Sequence, residues 1–170
     1  LLGKNGGCEK QYPDLYYDYT SLLTESEKKD PYMAYYYKIL KEDEDSEKYA
    51  KILVRIESLI EKTQTDYSYA EKICDSVDVC SVAKIEMYYT MNDFFLEPGV
   101  LIKHAGKLKR IRVSMVHGKL DAITPIKYAW VMAQSLPNCD LHVIEDCGHT
   151  IDSEEGKIIW AKIITEHLIS

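Results

Sequence analysis

The spacing of the apolar residues changes near residue 106, and that change limits the architectures open to this chain. Downstream of it, "IRVSMVHG" (111–118) reads as a strand ending in glycine, and "TPIKYAWVMAQSL" (124–136) as a helix opened by Pro125. "DLHVIEDCG" (140–148) reads as a second strand, and "DSEEGKIIWAKIITEHLI" (152–169) as a closing helix despite its internal Gly156. Strand, helix, strand, helix is the grammar of a parallel α/β sheet. Such a sheet needs both faces covered and more than two strands to stand alone. The expected fold class is therefore α/β, with this region as the last portion of a larger sheet. Open strand edges of that kind favour pairing or swapping between two copies, a homodimer through the sheet edges.

Upstream of residue 106 the chain reads as helices. Pro13 and Asp14 open a segment through Leu22, with proline where its missing N–H does no harm. "TESE" (24–27) has capping-box spacing and predicts a helix to about Leu40, before the polar run "KEDEDSE". Ser46 or Asp45 caps a helix over 46–62, whose Ile52, Leu53, Ile56, Leu59 and Ile60 share one face. "TQTDYS" breaks the pattern, and helix resumes near Val77 and runs to about Met91, before "NDFFLEPG".

Charge divides the chain in the same way. Residues 1–100 hold 20 acidic and 12 basic side chains, and residues 101–170 hold 8 and 9. Thirteen of the 14 tyrosines precede residue 90. A formal net charge of −7 argues against nucleic acid as a partner, since phosphates are bound by positive charge. No run of 18 apolar residues is present to span a membrane. The opening "LLGKNGGCEKQ" lacks the pattern of a secretory signal. Cysteines 8, 74, 80, 139 and 147 are odd in number and never spaced CxxC. They read as free thiols of a cytoplasmic protein rather than as disulfides or metal ligands, and no metal or cofactor is expected.

Two residues carry the chemistry. Asp121 follows Gly118 by three residues, and His149 directly follows Gly148, each just past the end of a strand. Ligands bind there in open α/β sheets. A carboxylate beside one imidazole nitrogen fixes the tautomer, so the other nitrogen is free to take a proton from a serine hydroxyl. Aspartates after strands also serve as simple turn formers; it is the order Asp then His, at matching ends of successive strands, that suggests a triad. The nucleophile should sit on a G-x-S-x-G elbow. None of the serines at 21, 26, 46, 58, 68, 76, 81, 114, 135, 153 and 170 has those flanking glycines, and "NGGC" precedes no serine.

Four stretches in order resemble the prolyl aminopeptidases, also called proline iminopeptidases. "GGCEKQYPDLYYDY" resembles the family's P-D-x-[WY] segment, and "AKIEMYYTMNDFFLEPG" its A-x-I-E-x-x-Y-F-x-N stretch. "VHGKLDAITP" is similar to its Q-G-R-Y-D-x-x-x-P, and "DCGHT" to its D-A-G-H-S. The resemblance implies an α/β hydrolase with a helical cap over 1–105 and the C-terminal part of the core over 106–170. It implies Asp121 and His149 as triad acid and base, and a nucleophile in an N-terminal half of the protein not contained in this sequence, which would leave the chain inactive by itself. It also implies that Glu57 and Glu86 bind the free N-terminal amine of a peptide beginning with proline. Spacing puts both glutamates at the edge of an apolar helix face: Glu57 between Leu53 and Ile60, Glu86 between Val82 and Tyr89. Lys119-Leu120 stands for the family's R-Y, Thr150 for its serine, and Thr124 where many members have a pocket cysteine. Two other readings fit the residues: another α/β hydrolase such as an esterase or epoxide hydrolase, and a noncatalytic helical interaction module with a degenerate hydrolase tail.

Overall fold

The structure is a computed structural model that describes residue 2, residues 7–42 and residues 44–169. Asn5 and Gly6 of "NGGC", the opening glycine of "GGCEKQYPDLYYDY" with them, and Asp43 of "KEDEDSE" lie outside the described residues. Nine α-helices and two strands are described: α1 (Cys8–Gln11), α2 (Pro13–Thr20), α3 (Pro31–Leu40), α4 (Ser46–Ile60), α5 (Tyr67–Ser76), α6 (Val79–Met91), α7 (Val100–His104), β1 (Val113–Gly118), α8 (Ile126–Ser135), β2 (Cys139–Ile144) and α9 (Glu154–Ile169). They fall into two compact units, one formed by Leu1–Leu59 with Asp66–Phe95, the other by Ile60–Thr65 with Leu96–Ser170.

The first unit is all helix. The Thr24–Glu27 capping box forms, with the Thr24 amide donating to Glu27 Oε2 at 2.8 Å and the Glu27 amide donating to Thr24 Oγ1 at 3.4 Å. Only a 3₁₀ turn over Glu27–Lys29 follows it, not the long helix expected. Pro31 has no N–H to continue the ladder, so Asp30 opens α3 afresh by accepting from the Met33 amide. "TQTDYS" is also no simple break: Asp66 caps α5, a helix the sequence reading missed, by accepting from the Tyr69 amide. Asp78 caps α6 likewise, accepting from the Cys80 and Ser81 amides. Tyr19, Tyr35, Ile39, Leu53, Ile56, Leu59 and Met87 are sealed in the core. Tyr19 and Tyr35 stack with centroids 4.4 Å apart, and the Tyr35 hydroxyl donates to the Tyr19 carbonyl at 2.6 Å.

The second unit holds the α/β grammar. β1 and β2 pair in parallel, with Val113 opposite Cys139 and Gly118 opposite Ile144. Both are shorter than expected: β1 begins at Val113 rather than 111, and β2 stops at Ile144 rather than 148. Among the described residues the sheet has two strands. A helix-rich chain with this small parallel sheet is consistent with a partial α/β fold. Gly156 inside α9 has a packing reason. A Cβ there would lie 2.8–2.9 Å from the Ile151, Cys147 and Ser153 side chains, so only glycine lets the helix start approach them. Ser153 caps that start, its Oγ accepting from the Gly156 amide at 3.0 Å. The five cysteines are free thiols. Among the described residues no helix is long and apolar enough to cross a membrane.

Candidate functional site

Two glycines let the loops after β1 and β2 meet. A Cβ on Gly118 would overlap the Gly148 carbonyl oxygen, and one on Gly148 would lie 2.7 Å from the Glu61 carbonyl oxygen. Backbone bonds lock the approach. The Lys119 amide donates to the Ile144 carbonyl at 2.8 Å, and the Leu120 amide to the Cys147 carbonyl at 3.0 Å. The Glu61 carbonyl accepts from the amides of His149 and Thr150, at 2.8 and 3.3 Å.

This arrangement brings Asp121 and His149 together, with His149 Nδ1 3.0 Å from Asp121 Oδ2. The Asp121 side chain is 4% exposed and that of His149 40%. The carboxylate is held at both oxygens. Its Oδ1 accepts from the amides of Ile123 and Thr124, at 2.9 and 2.8 Å, and its Oδ2 accepts from the Thr124 hydroxyl at 2.7 Å. Burial alone would raise the Asp121 pKa. The Thr124 amide, His149 and the Thr124 hydroxyl outweigh it and hold the carboxyl below the usual aspartate range. A charged Oδ2 takes the Nδ1 proton of His149 as donor, which leaves Nε2 with a lone pair. The pair can therefore orient a base and stabilise the imidazolium that forms when the base takes up a proton.

Two further residues touch the pair without a periodic sequence signal that places them there, Thr124 and His117. The Thr124 hydroxyl donates to Asp121 and lies 3.3 Å from His149 Nδ1. His117 comes within 3.4 Å of Asp121 Oδ2 through Nε2, which also lies 2.8 Å from the Thr124 carbonyl. As donor to that carbonyl, His117 ties the end of β1 to the aspartate loop. The spacing "HGKLD" was the available signal, but a contact four residues apart in a loop has no periodic signature.

Glu57 and Glu86 both lie in the helical unit, half-buried on α4 and α6 respectively. The apolar neighbours of Glu57 are sequestered as expected, with Leu53 at 0% and Ile60 at 2% exposure. Those expected for Glu86 are not: Val82 and Tyr89 are exposed, and the buried face of α6 runs through Val79, Ala83 and Met87. Burial pushes the Tyr32 hydroxyl up to about 12, and the charges of Glu86 and Glu57 add to the rise against an opposing hydrogen bond from Thr90.

An acid–histidine pair thus stands in the loops at the carboxyl ends of the two parallel strands. No protein-family model matches the chain. It is 26% identical over 148 residues to a proline iminopeptidase of Arabidopsis thaliana, covering 85% of this chain and 39% of that protein. A probable proline iminopeptidase of Leptolyngbya boryana is 28% identical over 147 residues, covering 85% of this chain and 46% of that one. A proline iminopeptidase of Neisseria meningitidis is 24% identical over 150 residues, at 87% and 47%. Over most of its length the chain is thus similar to proteins named proline iminopeptidase, and it spans less than half the length of these relatives.

Proposed function

We propose that this chain is part of a cytoplasmic serine aminopeptidase that removes N-terminal proline from peptides. Residues 1–105 supply its helical cap and 106–170 the last part of its α/β-hydrolase core. The observation that carries the reading is the Asp121–His149 pair, 3.0 Å apart, with the carboxylate fixed by two amides and a hydroxyl. The similarity to proteins named proline iminopeptidase supports the substrate class.

In this mechanism the serine comes from a G-x-S-x-G elbow outside these 170 residues, in the N-terminal half of the protein. His149 Nε2 accepts the serine proton as Oγ attacks the prolyl carbonyl, then returns it to the leaving amine. Asp121 keeps the imidazole in the Nδ1–H tautomer and stabilises its charged form. Glu57 and Glu86 accept the two N–H bonds of the prolyl ammonium, whose charge offsets the cost of holding two carboxylates half-buried. Binding that amine places the scissile carbonyl one residue in from the chain end, which makes the activity an aminopeptidase.

The test is hydrolysis of a fluorogenic proline amide by the protein that joins this chain to its nucleophile-bearing half, beside the 170-residue chain alone. The joined protein should turn over and the chain alone should not. His149→Ala should lower kcat by about 10⁶-fold, the scale of losing the triad base. Turnover by the chain alone, or a joined protein that cleaves simple esters but no prolyl amide, would overturn the reading.

A further inference from the structure

Asp121 and His149 share a third partner. The Thr124 hydroxyl lies 2.7 Å from Asp121 Oδ2 and 3.3 Å from His149 Nδ1, and Nδ1 lies 3.0 Å from that same Oδ2. The three polar atoms close a triangle. An ionised carboxylate only accepts, so the hydroxyl proton goes to Oδ2. The lone pairs of the hydroxyl oxygen are then left for the Nδ1 proton of His149, which divides between Oδ2 and the threonine. The Thr124 backbone is pinned on both sides of this contact. Its amide donates to Asp121 Oδ1 at 2.8 Å, and its carbonyl accepts from His117 Nε2 at 2.8 Å. The β-branched side chain has few rotamers to choose from. The amide and hydroxyl of Thr124 also help to hold the Asp121 carboxyl below the usual aspartate range, which keeps the shared proton on the imidazole. Thr124 stands where many members of the resembled family have a cysteine. A thiol donates and accepts only weakly, so that pattern does not call for this contact.

We propose that Thr124 is a positioning residue of the triad, whose hydroxyl keeps Asp121 Oδ2 and His149 Nδ1 in line and takes part of the Nδ1–H bond as the imidazolium forms. Protonation at Nε2 makes Nδ1–H a stronger donor, and the threonine oxygen is a second acceptor beside the carboxylate. The contact strengthens as the charge develops, so it acts on the chemical step rather than on substrate binding. Thr124 is exposed on its loop, so its methyl group adds little to packing and substitution there isolates the hydroxyl. The inference rests on the reading of Asp121 and His149 as triad acid and base.

The experiment compares wild type with Thr124→Val, which keeps the branched shape and removes the hydroxyl, and with Thr124→Ser, which keeps the hydroxyl. In the 170-residue chain the readout is the His149 Nδ1 proton, displaced far downfield in the NMR spectrum by its bond to a carboxylate. Its exchange with water should quicken about 5-fold in Thr124→Val and less than 2-fold in Thr124→Ser, with amide protection of β1 and β2 unchanged. In the joined protein, Thr124→Val should lower kcat for the prolyl amide about 10-fold with KM changed less than 2-fold, while Thr124→Ser stays within about 3-fold of wild type. Wild-type kcat and an unmoved ring proton in Thr124→Val would overturn the inference. Lost protection of β1 and β2 in that variant, or equal falls in kcat with valine and serine, would overturn it too, since either makes the contribution one of packing. A joined protein that cleaves no prolyl amide would overturn the aminopeptidase reading instead, and the ring proton of the 170-residue chain would still decide this inference.

Discussion

The two units differ in how large a core they seal. In the helical unit Tyr19, Tyr35, Leu53 and Met87 are all at 0% exposure, and Leu15, Ile39, Ile56 and Leu59 are sealed as well. In the sheet unit Tyr128, Trp130 and Val131 of α8 and Ile158, Trp160 and Ile164 of α9 stand at 41–69% exposure, and most residues of both strands are only half-covered. Exposed apolar residues are ordinary, and the helical unit has them too, Tyr17, Ile85, Tyr88 and Phe95 among them; the sheet unit differs in how few large side chains it seals. The first unit has a closed core of its own. The second has a smaller one, and a parallel sheet of two strands leaves edges and faces open, which suits the proposal that it folds against more protein. The Asp121–His149 pair nonetheless forms in this unit, because its parts are loop backbone and polar side chains that hold each other.

The comparison breaks first on a core residue. Tyr35→Ala removes a stacked, fully buried ring and the hydroxyl bonded to Tyr19. It should cost the helical unit about 4 kcal/mol, on the scale of large aromatic truncations. Urea unfolding read by amide exchange, unit by unit, should show that loss in residues 13–90 and little change at β1 and β2. An equal loss in both would mean that the two units do not differ in the way their exposure suggests. Gly118→Ala tests the other side. Its methyl has to push the Gly148 carbonyl away, which should cost about 3 kcal/mol in the sheet unit and part Asp121 from His149. Loss of protection at β1 and β2 is the readout; an unchanged exchange pattern would show that the two loops can separate freely.

A smaller effect follows from Asp121. Its pKa is lowered on folding, so its contribution to stability is complete above the ordinary aspartate value of 3.8 and is lost as pH falls through the lower native value. Exchange protection of β1 and β2 should therefore weaken in that acidic window. Asp121→Asn should make protection there less dependent on pH while lowering it near neutrality. If wild type and variant fell together with pH, another acid would be responsible.

The legibility of these features follows from their physics. Asp121 and His149 could be read because a polar residue beside a glycine in the loop after a strand is a local pattern, although β2 ends at Ile144, four residues short of Gly148; their meeting follows from parallel pairing. Thr124 as a donor, and the Glu61 carbonyl beneath His149, could not. The first depends on how one loop folds back on itself, and the second joins residues 88 positions apart, 149 less 61, through the close approach of Gly148. α5 was missed for a different reason. Its buried residues, Ala70 and Cys74, are too few and too small to mark a helical face, so only the Asp66 cap announced it. α3 was misplaced because a genuine capping box preceded a proline that outranked it. The left-handed backbone of Asp93, Phe94 and Phe95, with φ of 49–57°, has no glycine to signal it.

The smallest effect sharpens the contrast most. Trp130 is 58% exposed on α8, so Trp130→Ser removes little buried area from this chain and should change its unfolding free energy by about 0.5 kcal/mol or less. What it should change is self-association. An uncovered indole beside Tyr128 and Val131 offers apolar area to any neighbour, and light scattering of the 170-residue chain should fall with the substitution at matched concentration. In the joined protein proposed above, the same residue meets the rest of the core, and Trp130→Ser should then cost about 2 kcal/mol, the scale of losing a buried aromatic contact. A difference of that size between the two backgrounds measures how much of the sheet unit's core is supplied from outside it. Equal small effects in both would mean that this face of α8 stays in water, and that the missing cover lies on α9 or along the strand edges.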